Sequence, residues 1–346
     1  MKLPTIPSFP QFTRKIAIDL GTSRVRIWSN QDGFVIDEPC VIALDRSKNK
    51  VIAVGKEAQD MSGRVSKNIE VLSPLSQGVV TDTVLVSMML RMLLRKILQN
   101  VYFFRPSIMM SVPSSITEVE KLALTEVLYG LGAREVFFIT QLLAAAIGSG
   151  VPIADASGSF LLQLGGGVVE GGIISLGSLV AAESTEYAGH SLDESIKRIL
   201  RQEAGIDVGL QRVEQLKIQL STAYLQNKNE VLVTGQDIRN AVPKEVLIGS
   251  EIIFPAVAAL LERYVRLIKK LFEQIPSELT TDVIDKGMLL SGSFAKLRGL
   301  DSFFLSSLGV PVSVVDEPDT SVIKGMMQAM ENIDLFKESL GYMATS

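Results

Sequence analysis

The chain has 346 residues, more than one hydrophobic core usually serves, so two lobes are expected. It is 47% apolar and 6% aromatic, which favours cores of Ile, Leu, Val and Ala, and its single cysteine, Cys40, excludes a disulfide framework. A formal charge of −4 argues against nucleic acid as the main partner, and a lone histidine, His190, excludes a multi-histidine metal site. In the opening "MKLPTIPSFPQF", Pro4, Pro7 and Pro10 interrupt any signal-like apolar stretch. "KIAIDL" (15–20) reads as a buried strand, "GTS" as its turn and "VRIW" as the returning strand. Further strands follow at "VIALD" and "VIAVG", then a helix capped by Thr81 or Asp82 and a short strand at 107–113. Ser115 and Glu118 have capping-box spacing for the next helix, which closes at Gly132. "EVFFIT" is a strand, "QLLAAAIGSG" a small-residue helix, and 150–158 a connection between lobes.

The second half restarts the pattern. "SFLLQL" is a strand, "GGG" a turn, and "GGIISL" and "SLVAAES" are strands. Ser191 and Glu194 have capping-box spacing before a helix, and further helices are expected at about 210–225 and at 256–274, just after Pro255. "IDLGTSRVRIW" (18–28) and "LQLGGGVVEGG" (162–172) share one layout of strand, glycine turn and strand. Such a long repeat implies a duplicated domain. Two facing glycine hairpins can aim backbone N–H groups at one anion from both sides, and glycine lets backbone approach phosphate closely.

The motifs "IDLGTS", "VIDEPCVIALD", "VIAVGKEA", "FFRPSIMMSVPSSITEVEKLAL", "AAAIGSG", "GGG" (165–167), "ISLGSLV", "YAGHSLDESI", "LRGLD" and "VIKGM" span nearly the whole chain. In this order and spacing they resemble the MreB branch of the actin-like ATPase superfamily. The resemblance implies an α/β, actin-like (ribonuclease-H-like) duplicated fold. Each lobe would carry a mixed five-stranded sheet flanked by helices, with two smaller subdomains. The implied bounds are an N-terminal extension at 1–13; subdomain IA at 14–35, 82–150 and 318–346; IB at 36–81; IIA at 151–186 and 250–317; and IIB at 187–249. The resemblance further implies head-to-tail filaments, a cytoplasmic place at the inner face of the membrane, and a role in cell shape. Self-association is the implied contact; a regular MreB or other shape-complex proteins are further candidates.

By the same resemblance, ATP and Mg²⁺ would lie in the cleft. The nucleotide-binding candidates are Asp19, Gly21, Thr22, Ser23, Arg24, Gly165, Gly166, Gly167, Val168, Glu214, Lys217, Gly292, Ser293 and Phe294. Asp19 is the metal candidate, and Gln141 is the candidate for positioning the attacking water. The departures from the family gather here. Gln163 stands where the second hairpin carries aspartate, and Val168 and Val169 replace two hydroxyl residues. Thr140 and Gln141 replace two acids, Ser293 and Phe294 replace glycines, and Arg24 replaces a small polar residue. An amide in place of one of two carboxylates weakens a magnesium site. The expected function is therefore a membrane-associated scaffold with weak or absent ATP hydrolysis; the alternative is an active Mg-ATP-dependent filament. Val101, Tyr102, Phe103 and Phe104, flanked by Lys96 and Arg105, form the candidate membrane loop. His190 reads as a turn or cap residue.

Overall fold

The computed structural model describes residues 14–66, 68–97, 105–225, 229–333 and 341–343. The chain begins with β1 (Lys15–Leu20), β2 (Arg24–Ser29) and β3 (Gly33–Pro39). It continues through β4 (Ile42–Asp45), β5 (Lys50–Val54), α1 (Lys56–Met61), β6 (Ile69–Leu72), β7 (Leu75–Ser76) and β8 (Val79–Val80). Next come α2 (Thr83–Ile97), β9 (Ser107–Val112), α3 (Glu118–Gly130), β10 (Glu135–Thr140) and α4 (Gln141–Gly148). The second half opens with β11 (Ser159–Leu164), β12 (Val169–Ser175), β13 (Ser178–Thr185), α5 (Gly189–Ile199), β14 (Ile206–Asp207) and α6 (Leu210–Leu220). It runs on through β15 (Glu230–Asp237), β16 (Pro243–Gly249), α7 (Ser250–Glu273), α8 (Ser277–Lys286), β17 (Met288–Ser291), α9 (Leu300–Leu308) and β18 (Val312–Val314). Then α10 (Ser321–Glu331) and β19 (Gly341–Met343) return to the first half.

Two mixed sheets carry the architecture, in the orders β19-β10-β9-β1-β2-β3 and β13-β12-β11-β17-β18. The first has six strands where five were expected, because β19 pairs antiparallel with β10 at the edge. Smaller sheets, β5-β4-β6 and β14-β15-β16, lie one in each half. The internal echo is structural. β1 pairs antiparallel with β2 and parallel with β9, and β11 pairs antiparallel with β12 and parallel with β17.

Each half has its own aliphatic core, one around Ile18, Leu90 and Ile108, the other around Leu162, Tyr264 and Phe304. A third core holds the halves together. Here α4 and α10 lie among residues of both sheets, including Ala17, Trp28, Leu161 and Ile174. The two helices cross at glycine: a Cβ on Gly325 would overlap the Ala144 carbonyl, and one on Gly148 would overlap that of Ser321. Gly148 and Gly325 are thus the residues that let the two backbones touch.

Several helix starts differ from the expected ones. Asp82 does cap α2, accepting from Val84 and Leu85 N–H. For α3, however, the capping box is Thr117 with Glu120, not Ser115 with Glu118. Ser191 does not cap α5; it lies in the first turn and donates to the Ala188 carbonyl. α7 begins at Ser250, so Pro255 falls inside it. So near the helix start, proline removes one backbone bond without ending the helix.

Candidate functional site

Two equivalent glycine hairpins meet at the boundary between the halves. In the first, Gly21 N–H donates to the Arg24 carbonyl at 3.0 Å; in the second, Gly165 N–H donates to the Val168 carbonyl at 3.2 Å. Space requires glycine at Gly165, where a Cβ would stand 2.5 Å from the Val168 carbonyl oxygen, and is tight at Gly21, where it would stand 3.0 Å from that of Arg24. The tips touch: a side chain on Gly166 would run into Ser23, and one on Gly167 into Thr22. Thr22 Oγ1 also accepts from Gly78 N–H at 3.0 Å, and Gly78 lies against Val168.

The register places Asp19 opposite Arg26 in the first hairpin and Gln163 opposite Glu170 in the second. Asp19 is buried. It accepts from Ser111 Oγ at 2.8 Å and faces Arg26 Nη1 at 3.7 Å. Burial pushes its carboxyl above the usual range, outweighing the opposing pull of Arg26 and Ser111. Arg26 continues to Asp37 on β3, with Nε 3.4 Å from Oδ1. Arg24 is turned to the same residue, donating to Asp37 Oδ1 at 2.5 Å and to its carbonyl at 2.8 Å.

The second hairpin is built differently. Gln163 is buried and its Oε1 has no protein hydrogen-bond partner. Glu170 is fully buried and reaches across to the first half, where Oε1 accepts from Ser114 N–H at 2.7 Å and Ser114 Oγ at 2.5 Å. Its Oε2 is unpartnered, and burial raises its pKa despite Ser114.

His190 does not sit in a free surface turn. Its Nε2 meets Ser23 Oγ at 2.8 Å across the boundary, and its backbone N–H donates to the Gly166 carbonyl. Burial first, then Lys217, lowers its pKa and favours the neutral ring. Lys217 itself bonds Asp193 Oδ2 at 2.8 Å and the Gly189 carbonyl at 3.2 Å, with exposed Glu214 on the same helix face. Burial raises Asp193 to about 6, against the pull of Lys217.

Gly292, at φ 86°, packs on the Leu164 carbonyl, and so joins the "SGSF" turn to the second hairpin. Ser293 is exposed beside it. Phe294 is half-buried and packs edge-on to Tyr264 at 6.3 Å in the second core. Gln141 is half-buried at the start of α4, one residue after the cap Thr140. The structure therefore gathers both hairpins, the α5–α6 residues and the Gly292 turn. Val101, Tyr102, Phe103 and Phe104 lie outside the described residues. Arg26, Ser111, Ser114 and Glu170 were missed by sequence reasoning. Arg26 and Glu170 had a signal, since each is the hairpin partner of a residue already singled out; the serines had none.

The resemblance carried by the motifs implies Mg²⁺ here, and the donor set can be tested against that ion. One carboxylate, Asp19, has its two oxygens engaged by Ser111 and Arg26, and the matching position offers the amide of Gln163. Among the described residues, no cluster of three His, Cys, Asp or Glu could hold a metal. These residues do not fit a divalent cation held between two carboxylates.

A model of the MreB/Mbl protein family matches residues 13–338. The chain belongs to that family. It is 36% identical over 331 residues to the cell shape-determining protein MreB of Escherichia coli (strain K12), across 94% of this chain and 95% of that protein. With the cell shape-determining protein Mbl of Bacillus subtilis (strain 168) it shares 33% over 324 residues, 93% of this chain and 97% of the relative. The crystal structure of MreB5 of Spiroplasma citri bound to ADP matches with a TM-score of 0.90 at 28% identity, covering 95% of this chain and 99% of that one. The MamK double helical filament matches at a TM-score of 0.78 and 16% identity, covering 92% and 99%, and shares the fold. The fold is actin-like.

Proposed function

We propose that this family member is a self-associating cytoskeletal filament protein that helps determine cell shape, with a nucleotide between its two hairpins and weak or absent hydrolysis. The observation that carries the reading is the pair of equivalent hairpins in a chain matched to the MreB/Mbl family from residue 13 to 338. Binding of ADP and AMPPNP by the two Spiroplasma citri MreB5 structures supports a nucleotide in the cleft. Gly21, Thr22, Ser23 and Gly165–Gly167 would face the phosphates. Glu214, Lys217, Gly292, Ser293 and Phe294 would border the nucleoside. The subdomain bounds given above belong to this proposal. Weak hydrolysis follows from Gln163 opposite the Asp19 hairpin and from Gln141, an amide rather than an acid, at the start of α4.

The reading includes the inner membrane surface, through the apolar run Val101–Phe104. Among the described residues no helix is long and apolar enough to cross a membrane. Electron microscopy of the full chain with and without ATP and Mg²⁺, beside a phosphate-release assay, tests the function. Filaments with phosphate release near background are expected. Protein that stays monomeric under all nucleotide and lipid conditions overturns it, and robust Mg²⁺-dependent hydrolysis establishes the active-filament alternative. For the membrane, Phe103→Ser with Phe104→Ser should reduce liposome pelleting, since each inserted aromatic contributes about 1.5–3 kcal/mol.

A further inference from the structure

The first hairpin carries a cation of its own. Arg26 is nine-tenths buried, faces Asp19 Oδ2 at 3.7 Å, and lies beside Asp37 on the next strand. Asp37 is already matched by Arg24, which donates to both its carboxylate and its carbonyl. Arg26 is shared between two carboxylates, standing directly opposite Asp19 in the β1–β2 register and opposite Asp37 in the β2–β3 register. Its hydrogen-bonding capacity is not filled: Arg26 Nε is buried and faces Asp37 Oδ1 at 3.4 Å without a hydrogen bond. The corresponding position of the second hairpin holds Glu170, turned away to Ser114. One positive side chain thus lies at the base of a pair of glycine hairpins, beside the single carboxylate available to a metal.

We propose that Arg26 is the resident cation of this site, taking the charge-neutralising part of a divalent ion, so that nucleoside di- and triphosphates bind without Mg²⁺. The proposal rests on the reading of the hairpins as a phosphate site. A guanidinium carries five N–H donors and cannot be deprotonated in a protein, so it offers phosphate a fixed charge together with directional hydrogen bonds. It also opposes a metal, because a divalent ion on Asp19 would have to displace Arg26 or share the carboxylate with it. One carboxylate, already facing a guanidinium and with an amide at the matching position, is the donor set expected where arginine has replaced the ion. Gln163 fits the same scheme, since an amide adds no second negative charge for a cation to balance.

The experiment is equilibrium binding of a fluorescent ATP or ADP analogue to the full chain, in Mg²⁺ and in EDTA. Affinity of the natural protein should change by less than about threefold between the two, whereas Arg26→Met should lose about tenfold or more in EDTA, because a charge-assisted phosphate contact is removed. Arg26→Lys should recover part of that loss. A loss of more than about tenfold on adding EDTA to the natural protein overturns the proposal, as does Arg26→Met binding like the natural protein in EDTA. If Arg26→Met does not fold, as judged by thermal unfolding, the Mg²⁺–EDTA comparison on the natural chain decides alone. Electron microscopy of the same samples separates the two readings. Filaments without nucleotide binding overturn this inference and leave the scaffold standing; metal-independent binding without filaments does the reverse.

Discussion

The two hairpins share a backbone and differ in charge. Each ends a central strand, turns on a glycine, and lies beside a parallel strand. The first carries an ion-pair network, Arg26 between Asp19 and Asp37, completed by Ser111 of its own sheet. The second has no positive charge of its own. Gln163 is left unmatched, and Glu170 takes its partner from the opposite half. Duplicating a backbone therefore did not duplicate the chemistry: one hairpin is built to neutralise charge, the other to hold the halves together. That division is tested by substitutions at equivalent positions.

The largest effect should come from giving the second hairpin the carboxylate that the first one has in Asp19. Gln163→Asp alone should make nucleotide binding respond to Mg²⁺ with little turnover. Adding Gln141→Glu should raise phosphate release by about a hundredfold, within the usual range for a positioned base. Steady-state phosphate release checks it; no gain in the double variant would mean that the asymmetry between hairpins is not what limits turnover.

The next effect is steric. A Cβ at Gly165 would stand closer to its turn carbonyl than one at Gly21, 2.5 Å against 3.0 Å. Gly165→Ala should therefore cost about 2–3 kcal/mol and Gly21→Ala about 1 kcal/mol in urea unfolding, following the cost of overpacking. Equal costs would show that the second turn relaxes as easily as the first.

Glu170→Gln should stabilise the fold. The amide oxygen still accepts from Ser114, and the new NH₂ offers a donor to Gln163 Oε1 opposite it. A gain of about 1 kcal/mol at pH 7 is expected for satisfying a buried acceptor and removing a buried charge. The pH dependence has a definite sign. The folded-state pKa of Glu170 is raised above 4.5, so its favourable contribution is full below that value and is lost as pH rises through the folded pKa. The advantage of the variant should grow with pH across that window in denaturant titrations; a constant difference would argue that the carboxyl titrates normally.

The smallest effect belongs to the Ser23–His190 bond at the tips. Ser23→Ala should cost about 0.5–1 kcal/mol, the net value of one hydrogen bond. If unfolding midpoints do not move, the tips are held by the glycine contacts alone.

Much of this site was legible from residue order, for identifiable reasons. Glycine turns, small-residue helices and alternating strands are local signals, so both hairpins, α4 and the duplicated layout could be read along the chain. So could the exchange of aspartate for Gln163, because the echo aligns it with Asp19. At α3 the expected box, Ser115 with Glu118, was not the one that forms, which is Thr117 with Glu120. Ser114 is held by Glu170 from the other half, and Ile116 N–H closes a turn on the Pro113 carbonyl, so the helix starts only after Thr117.

Tertiary structure decided which side chains meet. Ser111 reaches Asp19 only because β9 lies parallel to β1, and Ser23 meets His190 across 167 residues of chain. Arg24 and Arg26 look alike in sequence and, two residues apart on one strand, share a face, yet they receive different tasks. One is partly exposed and matched to Asp37, the other is buried beside Asp19. Strand register sets those environments: Arg26 stands between Asp19 of β1 and Asp37 of β3, whereas Arg24 lies nearer the hairpin tip opposite Pro39.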